Sequence, residues 1–579
     1  MRVAIWLMAL AALAATLLGI VPMRYLASLL SEDGHLADEQ IRLLNTSQLS
    51  LTALLALSLA PGIFDGIWRS MRACWNWTLG LSLARFASAT AMLAGVAGYA
   101  VQAFVFDGIP HVTDAVSQHF QAKILALGLW TAPTPPCPEF FIQYNVNMLD
   151  GSRWFSKYFL GHSLWLAAWM KVGAEILALP VAHAVGTACL AYIGEKVSER
   201  TVSRPATLLF VLSPLALLLS GSFMSHTTFL MYGLLAAALW IHANAREEAG
   251  RSSHAAFAGM GMAAGLCMIT RPQDAPALAI PLLMVFYFLR GSGLRRTMAG
   301  LPSIILGALL PLAFQAAGNK AMLGSFLGSG YDLALLNPLS PKMSPAMGFI
   351  GGYTVAAAID QGLWTLLRFN KVLFGWPSSL APLLFLVLGG RLNRVEATCL
   401  VATLCVPAWY FFYSYYGLEY EARYYFMALP FVVILVASSL RRGFVAFQAG
   451  RGPAPKSDTA AAVLAILLVV STVHGLVHYW PQYIWPRYSG AYEGADAGLS
   501  KAVSAAGISK AVVLYGSPDP QDLRYSSGFV FNDPLLRGNV IYGRSLEGSA
   551  LECLARAFEG RTVFRAVIGS DGSYSFRKE

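Results

Sequence analysis

Charge is scarce in this sequence: Asp, Glu, Lys and Arg make up 12% of its 579 residues, against about 25% in an ordinary soluble domain. With 56% hydrophobic residues and a mean hydropathy of +0.55, the scarcity excludes a freely soluble globular protein and points to the membrane class. A basic face is also missing. The net charge is +10, but Lys and Arg fall in short clusters between apolar segments, which excludes nucleic acid as a partner and suits orientation in a bilayer. Seven cysteines include no C-x-x-C pair and no metal-like spacing. Cys74, Cys189, Cys267, Cys399 and Cys405 lie in or beside apolar runs, where a thiol acts as a small hydrophobe. Cys137 and Cys553 fall outside those runs; a disulfide between them is left open, with nothing in the sequence to support it. No internal repeat signals a transporter built from two related halves, and no low-complexity segment occurs beyond the linker "RGPAP". The N-terminal run "MRVAIWLMALAALAATLLGI" has no small-x-small cleavage site and reads as an uncleaved first span.

What is present is a series of apolar runs. A span needs about 20 mostly apolar residues, and candidates lie near 3–22, 48–68, 84–106, 176–194, 205–221, 226–243, 256–270, 274–290, 298–317, 372–389, 397–414, 425–440 and 459–478, about thirteen transmembrane helices by this length criterion. Every second loop is basic: Arg69 and Arg72; Lys196, Arg200 and Arg204; Arg290, Arg295 and Arg296; Arg391 and Arg394; Arg441, Arg442, Arg451 and Lys456. Basic loops face the cytoplasm. The complementary loops 23–47, 107–175, 318–371 and 414–424, with the tail from 479 onward, then face outward. The fold class is therefore mainly α, a polytopic helical membrane protein with a small α/β outer domain. The expected divisions are N-terminal helices over 1–106, a first large outer loop over 107–175, a helical core over 176–478 and the outer domain over 479–579. In that last part "KAVVLYGS" and "GNVIYGR" read as buried strands and "GSALECLARAFEG" as an amphipathic helix.

Polar residues gather at the outward edge. "TDAVSQHFQAKILALG" offers Thr113 and Asp114 as N-caps, followed by Val116, Phe120, Ile124 and Leu127 at helical spacing, which predicts an amphipathic helix along the outer interface. A cap is the simpler account of Asp114. "SRWFSKYFLGHS" then places Arg153, Lys157, Tyr158 and His162 within ten residues. Snorkelling toward lipid phosphates is one reading of the two cations, and a phosphate clamp the other. "GSFMSHTT" contributes His226 at a turn, and "TRPQDA" sets Arg271 and Asp274 between apolar runs. An ionisable residue there is costly unless it faces a cavity or a partner, although an internal Arg271–Asp274 pair that only fixes the turn meets the same need. "YYGLEYEARYYFMALP" adds Glu419, Glu421 and Arg423. Together these clusters predict one hydrated site on the outer face.

The order of "HVTDAVSQHFQAKILALGLWTAPTPPCPEFF", "SRWFSKYFLGHS", "SGSFMSHTT", "ITRPQDAPAL", "LFGWP", "ARYYFMALP" and "GFVFNDPLLRGNVIYGRSLEGS" resembles bacterial membrane glycosyltransferases of the C-type superfamily. The resemblance is to the branch of protein O-mannosyltransferases and lipid A aminoarabinose or galacturonate transferases, family 39-like, and covers roughly residues 85–579. It implies an inverting enzyme of the bacterial cytoplasmic (inner) membrane, its site facing the periplasm. Such an enzyme takes a sugar from a polyprenyl-phosphate donor and passes it to a glycolipid, polysaccharide or protein acceptor. It implies Asp114 as catalytic base or part of the acceptor site, with the base preferred, and Lys157, Tyr158, His162, Arg271 and Arg423 at the donor phosphate. Arg153, Glu139, His226, Glu419 and Glu421 are further substrate-binding candidates, with Glu139, Asp150, Glu419 and Glu421 as reserve acids. Where the family carries a second acid after the first, Ala115 stands here, so a divalent metal has weak support and no cofactor is called for. Where it carries Pro-Pro, Phe159 and Leu160 stand. The competing readings are a lipid or saccharide transporter or flippase, which needs polar groups near the bilayer midplane, and a non-catalytic envelope-assembly protein. The sugar, the acceptor and the oligomeric state are not written in the sequence.

Overall fold

Apolar runs with few β-branched interruptions form helices of bilayer length, because a chain in hydrocarbon has to satisfy every peptide group within its own segment. The computed structural model describes residues 61–277, 291–334, 347–349, 352–376, 378–388, 390–415, 417, 419–449, 465, 468–490, 492–519, 522–570 and 572–579. Among the described residues, 5 helices are long and apolar enough to cross a membrane: Leu83–Phe104, Glu175–Val197, Ser225–Glu248, Leu301–Leu323 and Arg423–Ala446. Arg200–Val211 and Pro214–Gly221, bent by 48°, make a sixth if they count as one span. The bend has a local cause. Ser213 caps the second helix by accepting from the Ala216 amide, and Pro214 opens it without an amide to give the preceding turn. The shorter apolar helix His254–Met268 packs along Leu301–Leu323. Gly261 faces the Ile304 carbonyl and Gly307 faces that of Ala258, so closely that a side chain at either position would force the backbones apart.

The count of thirteen is larger than the described residues carry. The candidate at 3–22 lies outside them, as do most of those at 48–68 and 274–290 and the start of that at 459–478. The continuous span expected at 372–389 does not form. A helix capped by Thr354 runs over Val355–Phe374 and stops at Gly375, whose φ of 64° ends it in a left-handed cap. A 3-10 turn follows at Ala381–Leu383. The helix thus occupies ground expected as outer loop 318–371.

Two of the long helices connect the same two ends of the bundle. Ser225 meets Arg271 at one end of its helix, and Glu248 meets Arg296 at the other. Arg423 starts another helix whose far end carries Arg441 and Arg442. There the basic loops collect: Arg441 pairs with Glu199 at 2.6 Å, and Arg442 pairs with Glu396 and donates to the Arg391 carbonyl at 2.9 Å. Buried Arg204 is held by Glu195 at 2.7 Å beside them in sequence. Loops sorted to one side by charge therefore meet in space, and the polar clusters occupy the opposite end.

The C-terminal domain, expected on the outer face and called the outer domain from here on, is a four-stranded sheet in which the second strand lies at one edge, followed by the first, third and fourth. β3 (Ala511–Tyr515) and β4 (Val540–Arg544) are the two strands expected from their apolar runs, and the helix Ser549–Ala557 is also where its periodicity places it. β5 (Thr562–Ile568) pairs parallel to β3, and β6 (Tyr574–Lys578) antiparallel to β5. The domain shares a core with the first outer loop: Phe120 and Trp154, 4.5 Å apart between ring centroids, pack with Phe529, Leu514 and Ile541. A Cys137–Cys553 disulfide staples the two.

Candidate active site

The helix Thr113–Ala126 does not lie on the surface as its amphipathic pattern suggests. Residues Ala115 to Ala122 are buried, because the bundle covers one face and the outer domain the other. Its N-cap is Val112, with no side-chain capping bond, so neither Thr113 nor Asp114 caps it. The Asp114 carboxylate sits in the first turn, where the helix dipole favours an anion, and its Oδ1 accepts from Asn145 Nδ2 at 2.9 Å.

A hairpin carries the lysine to this aspartate. β1 (Val146–Leu149) and β2 (Arg153–Ser156) pair antiparallel. Ser156 Oγ lies 2.7 Å from Ser117 Oγ, the Ser156 amide donates to Gln121 Oε1 at 3.0 Å, and the Lys157 amide donates to the Asn145 carbonyl at 3.1 Å. These bonds clamp the end of the hairpin to the helix, placing Lys157 and Tyr158 in the field of Asp114. Burial depresses the Lys157 ammonium below its usual range, and Asp114 opposes that shift. The buried Tyr158 phenol is pushed well up, first by burial and then by the same carboxylate. Lys157 Nζ lies over two rings, 5.3 Å from that of Tyr158 and 5.2 Å from that of Tyr331. Below them is a cavity of about 10 Å³, lined by Lys157, Tyr158, Gln315, Asn319 and Gly330.

Gly161 fixes the other side. Its amide donates to the Ile269 carbonyl at 2.7 Å, and a Cβ there would lie 2.8 Å from that carbonyl oxygen. The hairpin exit is thereby pressed onto the turn that holds Arg271. Arg271 Nε is paired with Asp274, its Nη1 donates to Ser225 Oγ at 3.1 Å, and Tyr410 donates to the second Asp274 oxygen. The internal pair that fixes the turn is thus formed. The guanidinium also lies 5.9 Å from the Tyr424 ring, which carries Arg423 at 5.2 Å. Arg423 Nη2 stands 3.9 Å from Asp114 and 2.8 Å from Glu419, while its Nε and Nη1 have no hydrogen-bond partner. Asp114, Lys157, Tyr158, Arg271, Glu419 and Arg423 are therefore one assembly.

His226 belongs to it too. It is fully buried with both ring nitrogens unpartnered, 6.1 Å from the Tyr424 ring. His162 does not join in: its ring nitrogens engage Thr228 Oγ1 at 3.0 Å and the Phe223 carbonyl at 2.9 Å, which makes it a brace between helices. Arg153 is spent on Asp150 and on the Met322 carbonyl at 2.9 Å. Glu139 lies beside the Cys137–Cys553 bond, whose sulfurs are committed to each other and leave that group without thiolate ligands for a metal. Glu421 faces elsewhere. Tyr420 and Glu421 both have positive φ, 59° and 62°, and this kink sends Glu419 toward Arg423 and Glu421 toward Lys371 at 3.5 Å. Burial alone would raise the Glu421 carboxyl. Lys371, Arg487 and Arg368 more than offset it and hold the group below its usual range.

Asn145, Tyr331 and Tyr424 escaped the sequence reading. Tyr424 lay within a quoted motif, whereas Asn145 and Tyr331 carry no local signal, being brought in by the hairpin register and by a distant loop.

Among solved structures, the chain is similar to ArnT from Cupriavidus metallidurans bound to undecaprenyl phosphate, with a TM-score of 0.52 and 11% identity over 82% of this chain and 92% of that one. Archaeal oligosaccharyltransferase AglB from Archaeoglobus fulgidus, in complex with an inhibitory peptide and a dolichol-phosphate, gives 0.39 and 10%, over 85% and 74%. An oligosaccharyltransferase of the same organism, with Zn and sulfate, gives 0.43 and 11%, over 82% and 68%. The first likeness shows the fold alone, shared with that structure. No protein-family model matches the sequence, and neither does any curated protein.

Proposed function

We propose that this protein is an inverting glycosyltransferase that moves a sugar from a polyprenyl-phosphate donor to an acceptor on the outer face of the bacterial cytoplasmic membrane. The observation that carries the reading is the convergence of Asp114, Lys157 and Arg423, residues from three separate segments, on one partly buried site. The fold shared with ArnT, a protein bound to undecaprenyl phosphate in its structure, supports the donor class. A disulfide between the first outer loop and the outer domain supports the side, because such bonds persist in oxidising compartments.

The chemistry follows from the geometry. A lipid phosphate is already a good leaving group, so the enzyme has to neutralise its charge and aim the acceptor for in-line attack. Lys157 supplies a desolvated ammonium, and Arg423 offers two unpartnered guanidinium N–H groups to phosphate oxygens. One such donor lowers the barrier by about 3 kcal/mol in well-studied sites. Asp114 accepts the proton of the acceptor hydroxyl as it attacks the anomeric carbon, and the phosphate departs with the bonding electron pair. Asn145 fixes the carboxylate's direction. Arg271, held by Asp274, extends the positive field and positions Tyr424. His226 offers a ring nitrogen to sugar or phosphate.

Purified protein incubated with labelled polyprenyl-phosphate sugars and envelope extract tests the reading. Transfer of label to an acceptor is expected. Movement of the lipid between leaflets without transfer would replace it with the flippase, and neither activity with the assembly role.

A further inference from the structure

The turn Tyr492–Gly494 lies between the helix Trp485–Tyr488 and the outer domain, and it is fastened on both sides. Tyr492 packs against the rings of Tyr420 at 5.4 Å and Tyr488 at 4.9 Å. On the far side Ser527 Oγ donates to the Gly494 carbonyl at 3.0 Å and accepts from the Asp496 amide at 3.0 Å. Gly494 is pressed so closely onto Leu523 that a Cβ would lie 2.9 Å from its carbonyl carbon. Between these anchors Glu493 is held at a φ of 53°, a left-handed conformation that costs a long side chain energy and persists only where the surroundings impose it. Glycine would take the same backbone without strain, so the turn itself does not call for a glutamate.

The turn brings this side chain to the Asp114–Arg423 assembly. Tyr420, on which Tyr492 packs, follows Glu419, the acid 2.8 Å from Arg423 Nη2. The half-buried Glu493 carboxyl lies in the field of Glu419, Arg423 and Asp114; burial and the two acids raise it above its usual range against the pull of Arg423. Among the described residues it has no hydrogen-bond donor. A half-buried carboxylate without donors is costly, and the hydroxyl groups of a ligand relieve that cost. We propose that Glu493 is a specificity-determining residue that accepts hydrogen bonds from the hydroxyl groups of the sugar being transferred. The assignment rests on the glycosyl transfer proposed above. A carboxylate repels the donor phosphate, so the part of a polyprenyl-phosphate sugar that suits it is the ring, while the phosphate stays with Lys157 and Arg423.

Native mass spectrometry of the full chain in detergent reads the sugar's share of binding, with undecaprenyl phosphate and a panel of its hexose and pentose derivatives as competing probes. The wild-type protein should retain at least one sugar-bearing lipid about tenfold better than the bare lipid, the contribution of a hydrogen bond to a charged group. Glu493→Gln should remove that preference and leave the affinity for undecaprenyl phosphate unchanged. Glu493→Gly relaxes the left-handed turn, so it should hold or raise the melting temperature while losing the same preference. A residue that served only the fold would do the reverse, lowering the melting temperature in the glycine variant with the preference intact. Variants that keep the preference, or that lose bare and sugar-bearing lipid in equal measure, overturn the assignment and leave the proposed reaction standing. Equal retention of bare and sugar-bearing lipids by the wild type does the same. Wild-type protein that binds neither lipid overturns both the assignment and the reaction.

Discussion

An aspartate in the first turn of a helix, freed from capping, has both oxygens available for other work. At Asp114 one oxygen takes the Asn145 amide and the other faces Arg423. Asp114→Asn keeps the shape and removes the basic lone pair. Transfer should fall by roughly 10²–10⁴-fold, the usual share of a positioned base, with expression and donor binding near wild type; unchanged turnover in purified protein would end the assignment. Lys157→Ala should weaken binding of polyprenyl phosphate more than binding of acceptor, and a titration giving equal donor affinity counts against its place at the phosphate. At this scale the sequence was legible where a residue's chemistry conflicts with its surroundings. Arg271 and Arg423 stood out as cations beside apolar runs, and the structure gathers them on one tyrosine ring. His162 stood out for the same reason, yet its conflict is resolved by two internal hydrogen bonds. Sequence shows that a buried polar group needs a partner and is silent on which partner it finds.

Among the elements, the exit of the hairpin and the helix Thr113–Ala126 set the geometry. Gly161→Ala would push the Lys157 segment away from the Ile269 carbonyl, and a displacement near 1 Å costs about 10²-fold in rate. Normal expression with normal transfer would show that the contact does not position the lysine. The helix is joined to the outer domain by Lys123, whose ammonium donates to the carbonyls of Val530 at 2.6 Å and Asn532 at 3.1 Å. Burial lowers its pKa from 10.5 to about 8. The folded state thus holds fewer protons than the unfolded chain between about 8 and 10.5, so this group makes stability rise with pH across that window and contributes no slope below it. Lys123→Met should flatten the rise in melting temperature over that range; an identical profile in the variant refutes the linkage. Periodicity located this helix correctly and misjudged its surroundings, because an apolar stripe does not say whether lipid or a distant domain covers the remaining face. The span expected at 372–389 failed on a different ground: hydropathy averages through Gly375, whereas the backbone turns there.

For the whole molecule, charge segregation was the strongest signal in the sequence, and the basic loops do meet at one end through Arg441–Glu199 and Arg442–Glu396. The outer domain was half legible. Two of its strands, β3 and β4, are buried apolar runs, while β5 has a single buried position and β6 none. The Cys137–Cys553 bond could only be left open from the sequence, because the two residues are 416 apart and no motif links them. Cys137→Ser should loosen the outer domain by about 2–5 kcal/mol, the usual cost of losing a native cross-link. Limited proteolysis with and without reductant reads this, and a wild-type protein indifferent to reductant would contradict it. The same staple orders events during synthesis. The loop bearing Asp114 leaves the ribosome hundreds of residues before the partner thiol, so the pocket has to wait, unclasped, until the segment carrying Cys553 has been made. A nascent protein halted short of residue 553 would carry every residue of the Asp114–Arg423 assembly in its primary structure and still be unable to lock it.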